Sequence, residues 1–179
     1  MRVISGEKRG LKLFSPVDFD VRPTTDKVKE SIFNILFDID KSSIVLDLFS
    51  GSGAMGIEFL SRGAKMCYFC DLSKKSIEIT RKNLTKSDFL KSSVILNYDY
   101  FASLEYFFEN NIKFDYIFLD PPYATNYISE TLKFILSKNI LNKNGLIILE
   151  TDKNLQIEGF KVIKEKKYSK TIVLFLEGV

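Results

Sequence analysis

The chain has 179 residues, of which 45% are hydrophobic and 27% charged, with a formal net charge of +3 and no histidine. That length suits one domain burying about 70% of its unfolded surface, and no apolar run approaches the ~18 residues needed to cross a bilayer. A helical membrane protein is excluded and a soluble globular one expected.

The opening MRVISGEKRG carries charge with no apolar stretch behind it. That pattern argues against a secretory signal and for a cytoplasmic protein with reduced thiols. Its continuation, RVISGEKRGLKL, predicts a small β-hairpin turning between Gly6 and Gly10. DKVKESIFNILF then reads as an amphipathic helix with Val28, Ile32, Ile35 and Leu36 on one face, started by Thr25 or Asp26 as a cap. The first 13 residues hold Arg2, Lys8, Arg9 and Lys12 against Glu7 alone. A second basic cluster, Lys161, Lys164, Lys166, Lys167 and Lys170 against Glu165, lies near the far end. Solvated faces are the ordinary reading of such clusters, and nucleic acid is the sharper one. No linker or repeat separates residues 1–43 from the rest, so this extension is expected to pack on a main domain at 44–179.

From residue 44, β-branched and aromatic runs alternate with helical patterns: IVLDLF, MCYFCD, SVILN, YIFLD, LIILE and TIVLFLE. This alternation predicts an α/β, doubly wound, mostly parallel sheet. Between the runs, Ile77 and Leu84, then Leu104, Phe107 and Phe108, then Ile128, Leu132, Ile135 and Leu136 recur at helical spacing and read as core stripes. FKVIKE and TIVLFLE have no helix-length segment between them, so they are expected to close the sheet as an antiparallel hairpin, giving seven strands in a Rossmann-like order.

The first chemical motif is VLDLFSGSGAMG. Gly51, Gly53 and Gly56 form G-x-G-x-x-G between a strand and a helix, and Asp71 follows 20 residues after Gly51 at the end of the next strand. This is a nucleoside-cofactor pattern, with glycines for close backbone approach and an acid for the ribose hydroxyls. Asp47 decides which cofactor. A dinucleotide's pyrophosphate would meet a like charge there, whereas S-adenosylmethionine presents an ammonium and a sulfonium. The plainer role for Asp47 is to cap the following turn.

Cys67 and Cys70 form C-x-x-C inside the second predicted strand, where their odd offset sends them to opposite faces. Without histidine to complete a zinc site, they read as buried reduced thiols and no metal is expected.

The second motif is DPPY, Asp120 to Tyr123, at the carboxyl end of the fourth strand. Asp-Pro alone is a common turn opener. Beside the glycine motif it suits methylation of an exocyclic base amine, whose lone pair is delocalised into the ring. Asp120 and the Pro121 carbonyl can each accept an amine hydrogen and so stabilise the positive charge that grows on nitrogen. Pro121 and Pro122 restrict the backbone that aims them. Tyr123 can stack on the base, a contact worth on the order of 1–3 kcal/mol. With no histidine present, proton removal falls to Asp120 or water.

DLFSGSGAMGIE followed by DPPY resembles the class I S-adenosylmethionine-dependent amino-methyltransferases. RVISGEKRGLKL with RPTTDKVKESIFNIL resembles the RsmD family in particular, over essentially the whole chain. The resemblance implies transfer to N2 of a guanine in 16S ribosomal RNA, within an assembling small subunit, by an enzyme expected to be a monomer. It also implies that Asp47, Phe49, Gly51 and Gly53 line the methionine end of the cofactor. By the same token Asp71 binds the ribose, Asp99 with Tyr100 meets the adenine, and Arg2, Lys8, Arg9, Arg22, Thr24 and Thr25 face RNA. Arg22 could instead pair with Asp20 or Asp26. Asp71 stands where the family more often has Glu, and Ser169 where Gly is expected in the last turn. Because no insertion interrupts Ala124 to Asn144, a splayed or flipped base in structured RNA fits better than duplex DNA. Two other readings stay open: methylation of another amine, such as adenine in DNA, and an idle RNA-binding assembly factor.

Overall fold

The computed structural model describes residues 1–15, 26–122 and 126–178. In chain order the elements are α1 (Asp26–Leu36), β1 (Ile44–Asp47), α2 (Ala54–Ser61), β2 (Met66–Cys70), α3 (Lys74–Ser87), β3 (Ser93–Leu96), α4 (Tyr100–Glu109), β4 (Phe114–Leu119), α5 (Tyr127–Lys138), β5 (Leu141–Thr151), β6 (Phe160–Tyr168) and β7 (Thr171–Gly178). They build a seven-stranded sheet in the order β3-β2-β1-β4-β5-β7-β6. The first five strands of that order pair in parallel, and β7 runs antiparallel to both β5 and β6.

Burial on both faces explains why the central strands are continuous apolar runs rather than alternating ones. One face carries α1, α2 and α3, through Ile32, Phe33, Ile57, Phe59 and Leu84 packed on Val45, Phe69, Phe118 and Phe175. The other carries α4 and α5, through Leu104, Phe107, Leu132 and Ile135 packed on Leu46, Ile117, Leu149 and Leu174. Adjacent strands β1 and β4 are the point at which the chain order reverses, and such a point opens a ligand crevice at the carboxyl ends of the strands.

The N-terminal segment is smaller than a hairpin. One antiparallel bridge, Arg2 with Lys12, joins its arms, supported by bonds from Val3 N to Leu11 O and from Gly10 N to Val3 O. Its apolar residues Val3 and Leu13 enter the same core as α1 and α2. The buried stripe of α1 is Val28, Lys29, Ile32 and Phe33. Ile35 and Leu36 are only partly covered, because the face turned to α2 is set by a Phe33–Phe59 edge contact at 4.7 Å. Thr25, a candidate cap, lies outside the described residues.

Two other expected core positions are also surface residues, Phe108 at 43% and Leu136 at 47% exposure. Phe108 is covered from one side by Lys138 Nζ, 4.6 Å from its ring centre. In the last turn Ser169 adopts φ 56°, so serine supplies the left-handed backbone for which glycine was expected, at a steric cost. Cys67 and Cys70 fall in the two opposite cores, as their offset requires. Burial raises both thiols, Cys67 well above its ordinary value and Cys70 to about 12. No described helix is long and apolar enough to cross a membrane.

Candidate active site

The reversal point brings together carboxylates from three neighbouring strands. Asp47 ends β1, Asp120 follows β4 directly, and Glu150 is the next-to-last residue of β5. Pairing of Asp47 with Phe118 and of Leu119 with Leu149 sets their strand ends side by side. Asp47 is 2% exposed. Its Oδ2 accepts the Gly56 N–H at 3.0 Å, the local capping role its position allowed. Burial, opposed by that bond and assisted by Asp71, pushes its carboxyl up to about 7. Asp120 keeps part of its surface accessible. Its carboxyl is nevertheless raised well above the usual range, first by desolvation and then by Glu150 and Asp47. Crowded like charges of this kind favour a cationic ligand and oppose an anionic one.

The glycine loop is held open by its own neighbours. Gly51 and Gly53 adopt φ 53° and 76°, a region in which a side chain is strained. A Cβ on Gly51 would meet nothing within 4 Å, so the loop borders free space there. A Cβ on Gly56 would stand 2.6 Å from Cys67 Sγ and 2.3 Å from the Phe69 ring, which makes the third glycine a packing requirement between α2 and β2. Asp71 braces the loop: its Oδ2 accepts Gly51 N–H at 2.8 Å and its Oδ1 accepts Ser73 N–H at 2.8 Å. A carboxylate has lone pairs to spare for ribose hydroxyls beyond these two bonds. Thr80 Oγ1 donates to Gly51 O at 2.9 Å. Ser50 Oγ, buried in this loop, has no hydrogen-bond partner among the described residues, an orphan that a bound ligand would satisfy.

Aromatic rings form one wall. Phe49 lies near Tyr100 and Tyr127, at centroid distances of 6.0 and 6.3 Å, and Tyr100 lies 4.4 Å from Tyr127. The Tyr100 hydroxyl bonds Glu130, which raises that phenol to about 12. Asp99 caps α4, with Oδ1 accepting Ala102 N–H at 2.8 Å. Pro121 is buried and Pro122 exposed, while Tyr123 lies outside the described residues.

Of the expected RNA-facing residues, Arg2 pairs with Asp26 at 3.3 Å. Lys8 pairs with Glu7 at 2.8 Å and stands over the Phe89 ring, and Arg9 is exposed. Arg22, Thr24 and Thr25 lie outside the described residues.

Residues that sequence reasoning missed join this N-terminal segment to the glycine loop and to α2. Glu58 of α2, fully buried, accepts Ile4 N–H at 2.8 Å and Ser5 N–H at 3.0 Å, and pairs with Lys29 at 3.3 Å and Arg62 at 2.9 Å. Lys29 Nζ also donates to Arg2 O at 2.5 Å. Asn83 of α3, fully buried, accepts Phe14 N–H at 2.7 Å and donates to Phe14 O at 3.0 Å and to Ser52 O at 2.9 Å. Glu58 was visible as a charge inside the apolar stretch AMGIEFLS, and such a residue demands a partner. Asn83, Ser50 and Glu150 carried no comparable signal.

Comparison with known proteins agrees with this architecture. The family model described as conserved hypothetical protein 95 matches residues 1–177. Ribosomal RNA small subunit methyltransferase D of Haemophilus influenzae is 36% identical over 172 residues, covering 93% of this chain and 88% of that one. The Escherichia coli protein of the same name is 30% identical over 152 residues, covering 85% and 75%. Thermus thermophilus protein TTHA0928 superposes with a TM-score of 0.86 at 21% identity over 99% of both chains, a likeness of fold. With the family match spanning nearly the whole chain, and these relatives alongside it, the chain belongs to the conserved hypothetical protein 95 or RsmD family of S-adenosylmethionine-dependent methyltransferases.

Proposed function

We propose that the protein methylates the exocyclic N2 amine of a guanine in 16S ribosomal RNA, with S-adenosylmethionine as donor. The observation that carries this reading is the adjacency of Asp47 and Asp120 at the ends of paired strands β1 and β4. One is a buried acid suited to a cationic donor, and the other opens the D-P-P loop suited to an amine acceptor.

The residues present fit the donor. Among the described residues no cation stands beside Asp47 and Ser50 Oγ has no partner, while Gly51 leaves room beside the loop. When bound, S-adenosylmethionine supplies an activated methyl group on a positively charged sulfur. In this reading Asp47 faces the donor's positive end, Asp71 takes the ribose hydroxyls, and Asp99 takes the adenine amine. Gly51 and Gly53 give the backbone close approach, and Phe49 with Tyr100 closes the apolar side. At the acceptor, Asp120 and the Pro121 carbonyl hold the two amine hydrogens and direct the nitrogen lone pair at the methyl carbon. Pro122 stiffens the loop and Tyr123 stacks on the base. As the N–C bond formed and the methyl–sulfur bond broke, its electron pair leaving on sulfur, charge on nitrogen would rise toward positive, so an ionised Asp120 would interact more strongly with the transition state than with the ground state. The protonated amine then releases its proton to Asp120 or water.

Residues 1–43 are assigned to RNA contact and 44–179 to catalysis, with Arg2, Lys8, Arg9, Arg22, Thr24 and Thr25 facing the phosphates and bases beside the target. A cytoplasmic monomer acting on an assembling small subunit is the corresponding setting. The test is mass-spectrometric nucleoside analysis of ribosomal RNA from cells with and without the protein, paired with labelled-methyl transfer to 16S RNA, other RNAs and DNA in vitro. Loss of one N2-methylguanosine, restored by the purified protein, is expected. An unchanged nucleoside profile, or transfer confined to adenine, would overturn the assignment.

A further inference from the structure

The second basic cluster is unused by the reading above, and the sheet register gives it a definite place. β6 is the outermost strand and, like β5, is antiparallel to β7, so β5 and β6 end at the same edge of the sheet. Glu150 pairs with Val173, and Val173 with Lys166. Because Leu119 pairs with Leu149, the next positions along form one cross-strand row: Asp120, Glu150, Val173, Lys166. Three interstrand steps of about 4.8 Å put the Lys166 backbone roughly 14 Å from that of Asp120. The β6–β7 turn, with Lys170, therefore stands at the edge that carries Asp120.

The two faces of β6 differ in charge. Lys164 and Lys166 pair with Phe175 and Val173, whose side chains enter the core beneath α1 and α2. They therefore share that face with α1, and Tyr168 on the same face hydrogen-bonds Ser31 of α1. Both lysines are exposed and, among the described residues, neither is in an ion pair; the same holds for Lys170. On the opposite face Lys167 is paired with Glu165 at 3.3 Å, whereas Lys161, across from Glu177, lies on the α1 face at the end of β6 far from Asp120. Edge strands often carry lysine to block pairing with other sheets, but that duty makes no distinction between faces. Here the unneutralised cations are confined to the face that bears α1 and to the turn at the catalytic edge.

We propose that Lys164, Lys166 and Lys170 form a second phosphate-binding strip, separate from the N-terminal segment, that holds the ribosomal RNA strand flanking the target base. This rests on the RNA methyltransferase reading. Single-stranded RNA lying across the sheet edge from Asp120 toward β6 would meet these cations in turn, with no carboxylate between them on that face of β6.

The test compares the unaltered protein with the triple variants K164A/K166A/K170A and K164R/K166R/K170R, using a 16S RNA transcript over 50–200 mM salt. For three lost phosphate contacts the alanine variant should show a salt-dependence slope shallower by about 2 and a KM for RNA raised about tenfold at low salt. Its kcat, its S-adenosylmethionine affinity and its melting temperature should be unchanged, and the arginine variant should behave as the unaltered protein. Methylation by all three proteins with one common KM and slope would overturn the strip while leaving the proposed function standing, even if the alanine variant self-associates more readily. Failure of the unaltered protein to methylate or bind the transcript would overturn both.

Discussion

At the scale of single residues, Asp47 gives the sharpest pH signature. Its folded carboxyl ionises at about 7 against an ordinary 3.8, so between those values the folded state binds more protons than the unfolded state. Stability therefore falls as pH rises from about 4 to 7, by at most about 1.4 kcal/mol per pH unit. A cationic ligand prefers the ionised form, so S-adenosylmethionine affinity should rise with pH up to about 7 and then level. We predict that Asp47→Asn flattens both profiles and weakens cofactor binding roughly tenfold or more. Calorimetric titrations and melting curves between pH 5 and 8.5 check this, and an unchanged affinity profile would rule out contact between Asp47 and the donor. For Asp120→Ala we predict nearly intact cofactor binding with methylation lost. Full turnover by that variant would remove Asp120 from the chemistry. Lys29 is only 1% exposed, and desolvation lowers its ammonium pKa against the pull of Glu58. Lys29→Ala leaves the Glu58 carboxylate short of a buried partner and should cost about 3–5 kcal/mol, read as a shift in the denaturant midpoint with unchanged m.

At the scale of elements, the N-terminal segment is tied to α2 and to the glycine loop by hydrogen bonds rather than by strand pairing. Glu7 N–H donates to Ser61 O at 2.7 Å, and Ser61 Oγ donates to Ser5 O at 2.6 Å. The chain comes so close at Gly6 (φ 80°) that a Cβ there would lie 1.8 Å from Ser61 O. Gly6→Ala should therefore destabilise by at least about 2 kcal/mol, and a melting temperature equal to that of the unaltered protein would contradict the close packing. Asn83 is the other tie, joining the Phe14 backbone to Ser52. Asn83→Ala is predicted to weaken RNA and cofactor binding together, because one side chain positions both segments. If only one affinity changes, the tie does not transmit. Sequence periodicity put the stripe of Ile77 and Leu84 and that of Leu104 and Phe107 on observed helices, α3 and α4. It missed the length of β5, which begins at Leu141, because Asn142 to Gly145 break the apolar run and pass through a register shift against β4. On α1 it put Ile35 and Leu36 in the buried stripe, where the structure buries Lys29 and Phe33 beside Val28 and Ile32.

At the scale of the whole molecule, local pattern and chain order were enough to specify a doubly wound sheet, its antiparallel end and the residues of both motifs. Alternating apolar runs allow few topologies once parallel crossovers must be right-handed. The chemical motifs were legible because each is short and its residues are contiguous: the glycines with Asp47, and Asp120 with its prolines. What the tertiary structure decided are interactions between positions far apart in the chain. Glu150 beside Asp120 and Lys166 in the row of Asp120 depend on which strand lies next to which, while Asn83 on Phe14 and Glu58 on the Ile4 and Ser5 amides depend on how α3 and α2 meet the N-terminal segment. A one-residue change in strand register would send the Glu150 and Lys166 side chains to the opposite face. The sequence by itself thus determined the fold class and the identity of the chemical groups, since those follow from local periodicity and residue type. The three-dimensional packing alone determined the electrostatic state of those groups, because burial and neighbouring charges exist only once the strand ends have been brought together.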